Sequence, residues 1–168
     1  MLTILVMAFF PALMIFAAMS DLVTMTISNK VSAALIVGFL IISILAGSSV
    51  SSILVHFLTG LTVLAVTFAL FAAGWIGGGD AKLAAATSLW LGSALTLNYL
   101  LLATVFGGIL TLCMLAMRNY PWPLMLDTVP WIARLYRVDK GIPYGIALGF
   151  AGLCIYPSSA IWQEYVGI

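Results

Sequence analysis

The stretch Ile53–Trp75, ILVHFLTGLTVLAVTFALFAAGW, decides the fold class. It holds no Asp, Glu, Lys or Arg, and as a helix rising about 1.5 Å per residue it reaches across the roughly 30 Å hydrocarbon layer of a bilayer. Comparable apolar runs lie on both sides of it, at about Thr3 to Ser20 and Val31 to Ala46 before, and at Leu83 to Leu95, Tyr99 to Met117 and Ile142 to Tyr156 after. The 168 residues are 64% hydrophobic and 7% charged, with a mean hydropathy of +1.24, whereas soluble domains carry roughly 25% charged residues. The expected fold is therefore an all-α polytopic membrane protein of about six transmembrane helices, with residues 1–168 forming a single membrane-embedded domain. Such a composition excludes a sizeable soluble domain and a nucleic-acid-binding surface. The Leu83 to Leu95 run is short, and spans only if its helix starts inside the membrane or the bilayer thins around it.

The formal net charge is +1, but the position of the charges is more informative, because Lys and Arg collect on the cytoplasmic side. Lys30 follows the first run, Lys82 the third, and Arg118, Arg134, Arg137 and Lys140 the fifth. The breaks Gly47 to Ser52 and, roughly, Gly92 to Asn98 are uncharged, and beyond Tyr156 only Glu164 is charged. All basic residues face the cytoplasm if both termini lie outside. Leu2 to Met19 lacks the basic n-region of a secretory signal, so it reads as the first span of the mature protein.

The long connection Arg118 to Gly141 contains Pro121, Pro123 and Pro130, with Trp122 and Trp131 suited to the headgroup level. From Trp131 onward, Arg134, Arg137 and Lys140 recur at helical spacing, which reads either as a short interfacial helix with a basic face toward lipid phosphates or as a plain solvated loop. Gly141, Gly145 and Gly149, four apart, predict close approach of another helix to the last span. Cys113 and Cys154 stand alone in apolar runs without a metal-ligand spacing, so they read as lipid-phase packing residues and no metal or cofactor is expected. His56 reads as an interfacial or hydrogen-bonded histidine, and Asp127 and Asp139 as solvated.

Two acidic residues at span boundaries require a reason, since charge near hydrocarbon is costly. Asp21 ends the first span and opens Asp21–Lys30, an uncapped amphipathic stretch that is able to continue the helix past the membrane surface. Asp80 stands in Gly77-Gly78-Gly79-Asp80-Ala81-Lys82, at the entrance to the short span. The topology places both on the cytoplasmic side. Two carboxylates sharing a low-dielectric pocket tend to hold one proton between them, which is the chemistry of an aspartyl protease. One takes a proton from the attacking water and the other donates to the peptide carbonyl oxygen.

The three glycines allow a backbone to come close. A helix starting near Ala81 would stabilise an ionised Asp80 through its N-terminal partial charge, with Lys82 acting in the same sense if the start is extended. The alternative is a flexible cytoplasmic turn with a solvated Asp80–Lys82 pair, and spacing alone does not choose. Asn29 is placed to cap or hydrogen-bond near Asp21.

Taken together these segments resemble a known family. Gly77-Gly78-Gly79-Asp80-Ala81-Lys82 is similar to the glycine-x-glycine-aspartate motif of the type IV prepilin peptidases, which are intramembrane aspartyl proteases. Asp21 followed by Ile27 and Asn29 resembles that family's other catalytic segment. Ile142-Pro143-Tyr144-Gly145 looks like the proline-aromatic-glycine start of its last helix. The resemblance is nearest to the short branch associated with tight-adherence (Flp) pili, and implies Asp21 and Asp80 as the catalytic dyad in a bacterial inner membrane.

The implied substrate is a prepilin with an apolar N-terminal helix preceded by a short basic leader, cut after a Gly at the membrane boundary; membrane lipids are the other implied contact. Larger members carry a cytoplasmic insertion, often with zinc-binding Cys pairs, and also methylate the new N-terminus. Here Asp21 to Lys30 is short and has no Cys, so methyltransferase activity is not expected. Thr26 stands where many relatives have Arg.

Two other classes compete with the protease reading. In a small proton-coupled transporter, Asp21 and Asp80 relay protons and Gly77 to Gly79 break a helix near the substrate. In a non-enzymatic assembly subunit, Gly141, Gly145 and Gly149 form a partner-binding face. No feature of the sequence indicates an oligomeric state.

The charge pattern makes the orientation testable. In a chain with Cys113 and Cys154 replaced, single cysteines at Ser49 and Gln163 are expected to react with a membrane-impermeant thiol reagent applied to intact cells, and one at Asn119 is not. Labelling at position 119 would reverse the assigned orientation.

Overall fold

A computed structural model of the chain describes residues 1–119, 129–137 and 141–167. All regular elements within them are helical: α1 (Leu2–Thr24), α2 (Asn29–Leu45), α3 (Val50–Ala72), α4 (Gly78–Arg118), α5 (Pro130–Tyr136), α6 (Tyr144–Ile155) and α7 (Ala160–Tyr165). A 3-10 turn at Tyr156–Ser158 joins the last two. By length and composition α1, α3 and α4 are each able to cross a membrane, while α2 and the Tyr144–Ser158 segment are shorter apolar helices. Leu54, Leu58, Phe68, Leu101 and Leu112 are each more than half exposed. A surface of such residues suits lipid and not water, so the protein is integral to the membrane. Cys113 and Cys154 are free and exposed on the same surface.

The first helix does not continue through Asp21–Lys30 as its amphipathic pattern predicts. It ends at Thr24, and Met25 takes a left-handed backbone with φ 56°. The hydroxyls of this stretch compete for its backbone. Thr24 Oγ1 donates to the Ser20 carbonyl at 2.7 Å, and Ser20 Oγ donates to that of Thr26 at 3.0 Å. Ser28 then caps α2 by accepting from the Lys30 amide at 3.3 Å, a cap the sequence reading passed over.

A second difference lies at Gly92. The expected connection from about Gly92 to Asn98 does not form, because α4 breaks at Gly92 alone, with φ 70° and ψ 177°. That conformation is open essentially to glycine only. The chain reverses there: Asp80 begins the first half, and in the second half Gly107 and Thr111 reach Tyr144 near the same end of the molecule. His56 supports the break. Its Nδ1 is 2.7 Å from the Leu89 carbonyl oxygen, which the interrupted helix leaves without its usual partner, and its ring stacks on Phe39 at 5.2 Å.

At the end of the bundle remote from Asp80, Trp90 is fully buried and gathers four elements. It packs against Phe10 at 5.3 Å, Phe39 at 5.9 Å and Tyr156 at 6.0 Å, and donates to the Leu35 carbonyl at 2.9 Å. Tyr156 also stacks on Phe10 at 4.2 Å and its hydroxyl donates to the Val6 carbonyl at 2.9 Å. Aromatic pairs of this kind add about 0.5–1.5 kcal/mol each beyond burial.

The glycine spacing at the last span serves α1 of the same chain. A Cβ at Gly149 would lie 2.9 Å from the Met14 carbonyl oxygen, and one at Gly152 3.2 Å from the Met14 sulfur. Gly141 precedes the helix and has nothing within 4 Å, so it takes no part. With that face occupied internally, the assembly-subunit reading loses its proposed surface.

A short helix does form in the basic connection, as α5, but Arg134 is turned to the protein, donating to the Val23 carbonyl at 3.0 Å. Arg118 likewise donates to the carbonyls of Leu135 at 2.9 Å and Gly141 at 3.1 Å. Arg137 lies just beyond the helix in extended conformation. Trp122, Asp127, Asp139 and Lys140 fall outside the described residues. Beyond the 3-10 turn the chain forms α7, whose Tyr165 hydroxyl donates to the Ala46 carbonyl at 2.8 Å.

Alanine at Gly92 is expected to cost about 1–3 kcal/mol, from the backbone conformation alone, and its Cβ would also meet the His56 ring at 2.9 Å. Gly108→Ala, at a helical site with nothing within 4 Å, should leave stability unchanged or slightly raised. Unfolding of the two variants in detergent measures the difference.

Candidate active site

Asp21 sits in the last turn of α1 and is only 6% exposed. It is satisfied from another helix, since its Oδ2 accepts from the Gly145 amide at 2.7 Å. Gly145 is the second residue of α6, and the residue in the capping position, Pro143, offers no side-chain acceptor. Asp21 therefore caps α6 from outside, doing what a serine or aspartate normally does from within the chain. The arrangement needs glycine at 145, because a Cβ there would lie 2.8 Å from Asp21 Cβ, from Asp21 Oδ2 and from Ile27 Cδ1.

Asp80 is held on similar terms. α4 starts at Gly78, earlier than the expected start near Ala81, and Gly77 is its N-terminal capping residue. Asp80 is then the third residue of the helix, and its carboxylate turns back toward the Gly77 amide. That is the acidic half of a capping box, with a glycine where a serine would usually stand. A Cβ at Gly77 would lie 2.8 Å from Asp80 Oδ2. Both carboxylates thus sit at helix N-termini, where partial positive charge offsets part of the cost of desolvation.

Ile27 brings the two segments together. On one side it is the neighbour that a Cβ at Gly145 would strike, and on the other a Cβ at Gly79 would come within 3.2 Å of its own Cβ. Asp21 and Asp80, far apart in the chain, come within electrostatic reach of each other. Gly78 faces the Phe71 ring, which a Cβ would approach to 3.2 Å.

Two sequence-level expectations need correction here. Lys82 does not act beside Asp80: in a helix, residues two apart point to different sides, and Lys82 Nζ instead donates to Asn29 Oδ1 at 2.9 Å. Asn29 accordingly neither caps α2, which Ser28 does, nor bonds to Asp21. The Asn29–Lys82 bridge joins the two motif segments at a second point. Tyr144 is partly exposed, hydrogen-bonds Thr111 Oγ1 at 3.0 Å and lies against Gly107, where a Cβ would be 2.5 Å from its ring.

The sequence reading missed Tyr99. The reversal at Gly92 brings this fully buried phenol beside Thr87 and within electrostatic reach of Asp80. Among the described residues, its hydroxyl is the one enclosed side-chain polar atom without a hydrogen bond of normal geometry. A tyrosine in an apolar span carries no periodic signal separating it from packing, so only the tertiary contact identifies it. Among the described residues no three His, Cys, Asp or Glu side chains converge as they would to hold a metal ion.

Gly145→Ala is expected to destabilise the protein by about 1–3 kcal/mol through overpacking against Asp21 and Ile27. Gly141→Ala has open space and should be neutral. Denaturant titration of both variants in micelles tests the contrast, and equal stabilities would show that α6 does not depend on this contact.

No curated protein and no solved structure matches the chain. The type IV leader peptidase family does match, over residues 8–112. That span contains both acidic segments, Asp21–Lys30 and Gly77–Lys82, and most of the described helices. The chain therefore belongs to the type IV leader peptidase family, and is a membrane-embedded protease of the prepilin peptidase kind.

Proposed function

We propose that the chain is an aspartyl endopeptidase that removes the basic leader from Flp-type prepilins at the cytoplasmic face of a bacterial inner membrane, with Asp21 and Asp80 as its catalytic dyad. The observation that carries this reading is the approach of two carboxylates, each set at a helix N-terminus, with Ile27 packed between the glycines of the two segments. One carboxylate accepts a proton from the water that attacks the scissile carbonyl, while the other, protonated, donates to the carbonyl oxygen. On collapse of the tetrahedral intermediate the first carboxyl gives its proton to the leaving amine while the second takes one back from a hydroxyl of the gem-diol, so the pair again holds one proton.

Six spans with both termini outside accord with this site. α4 supplies two of them on either side of Gly92, and α1, α2, α3 and α6 the others. Lys30, Lys82, Arg118 and Arg134 then share the cytoplasmic side with the dyad. One membrane domain covers residues 1–168, with no metal or cofactor in the reaction. Because the connection between Asp21 and Lys30 holds only a tight capped turn, we assign no methyltransferase activity. Against the transporter reading, the acidic pair stands at helix ends and not near a bilayer midplane.

Asp21→Asn and Asp80→Asn should each abolish nearly all cleavage of a leader-bearing prepilin by protein reconstituted in detergent. The double variant should be little worse than either, since the two act as a unit. Asp127→Asn and Asp139→Asn should retain substantial activity. The pH profile should be bell-shaped, both limbs belonging to the pair. With S-adenosylmethionine present, mass spectrometry should find the shortened product unmethylated. Comparable cleavage by either dyad variant at wild-type expression would end the aspartyl assignment, and a product heavier by one methyl group would end the peptidase-only assignment.

A further inference from the structure

Outside the dyad, a groove of about 450 Å³ opens on the membrane face of the bundle, between α2, α3 and the first half of α4. Each helix lines it with one stripe at intervals of three and four residues, the spacing of a single helical face: Asn29, Ser32, Ala33 and Ile36 from α2, Phe57, Gly60, Leu61 and Leu64 from α3, and Lys82, Ala85, Ala86 and Leu89 from α4. Its volume falls within the roughly 300–1,000 Å³ of ordinary ligand sites. The lining is apolar along its length, with small residues on the floor that allow a helix backbone to come close.

The polarity of the groove is one-sided. Asn29 and Lys82 stand together at one end, joined by their 2.9 Å hydrogen bond. Lys82 is the only charged residue in the lining, and it is two positions beyond Asp80. The opposite end, at Ile36, Phe57 and Leu89, contains no polar side chain. The three stripes run for about two helical turns, roughly 10 Å. An occupant complementary to this lining is an apolar helix lying along the groove, with its polar end at Asn29 and Lys82. That end is the one nearest the acidic segments, since Lys82 is two residues from Asp80 and Asn29 two from Ile27.

We infer that the α2–α3–α4 groove is the docking site for the apolar helix of the substrate, aligned so that the polar junction at its N-terminal end is presented to Asp21 and Asp80. This rests on the prepilin reading, and adds to it which helices select the substrate. The nearness of its polar end to Asp80, two residues before Lys82, favours a protein helix, whose polar junction would meet both.

Cross-linking in membranes tests the inference independently of cleavage. In a chain with Cys113 and Cys154 replaced by alanine, single cysteines are placed at Leu64, near the polar end, and at Ile36, near the apolar end, with Leu101 and Leu112 on other exposed faces as controls. Each is co-expressed with an Flp-type prepilin carrying single cysteines at successive positions from its leader junction into its apolar segment, in otherwise wild-type and Asp80→Asn backgrounds.

Disulfides are expected at Leu64 and Ile36 at least about tenfold above the controls. The preferred prepilin position should move about seven residues further from the junction between Leu64 and Ile36. Ala33→Phe, which places a ring in the groove from an exposed position, should reduce both yields by a similar factor. Equal yields at groove and control positions, with the prepilin still cleaved, would overturn the groove and leave the protease reading intact. Groove-specific cross-links without any cleavage by the wild-type chain would support the docking site and overturn the protease reading.

Discussion

The hydrogen bond from the Gly145 amide to Asp21 Oδ2, 2.7 Å long, is the contact on which the site depends. In a bilayer, helices gain little from excluding water against one another, so association rests on close packing and on polar groups that find each other. Here one contact supplies both. It satisfies a buried carboxylate, and it provides the N-terminal cap that Pro143 cannot. The absence of a Cβ at Gly145 lets α6 come close enough to α1 to form it. Further along the same interface, Gly149 and Gly152 continue that close approach against Met14.

The second carboxylate follows a parallel logic on α4. Asp80 is able to reach back to the Gly77 amide because Gly77 has no side chain in the way. Both acids therefore sit where helix N-termini favour negative charge, yet near enough for each to feel the other. Ile27 fills the space between the two glycine-lined walls. The Asn29–Lys82 bridge closes a second link between the same segments, at the head of the α2–α3–α4 groove. The bridge thus sets the head of the groove beside the two acidic segments.

The opposite end of the bundle has a different character. There Trp90, Phe10, Phe39 and Tyr156 interlock, and the indole and phenol groups donate to backbone carbonyls. Large rigid rings tie four elements together at a distance from the dyad. Small residues at the acidic end instead let segments of this chain come close to one another, with Gly77 against Asp80, Gly79 against Ile27 and Gly145 against Asp21.

Much of this was determined by the sequence alone. A chain with 7% charged residues and runs such as Ile53–Trp75 has no stable place but a bilayer, and acidic residues at span boundaries are too costly to stand there without a role. Asp21, Asp80, Gly77 to Gly79 and Pro143-Tyr144-Gly145 were accordingly legible as a candidate site, and the leader peptidase match over residues 8–112 bears out the family. What the sequence could not decide were features set by contacts between distant segments. Nothing in the pattern Asp21–Lys30 weighs hydroxyl–backbone bonds against another helical turn, so the break at Met25 was missed. Lys82 points to Asn29 because α4 begins earlier than the pattern suggested, which rotates it away from Asp80. One glycine reverses α4 where a whole connection was expected, since a single φ of 70° at Gly92 is available to glycine and is stabilised by His56 from α3. Tyr99 was indistinguishable from packing until that reversal placed it beside Thr87 and Asp80. Hydrophobic periodicity registers which residues meet lipid, and charge registers which side of the membrane they face. Neither registers which helix faces which, because in an apolar solvent that choice is made by short-range packing and individual hydrogen bonds.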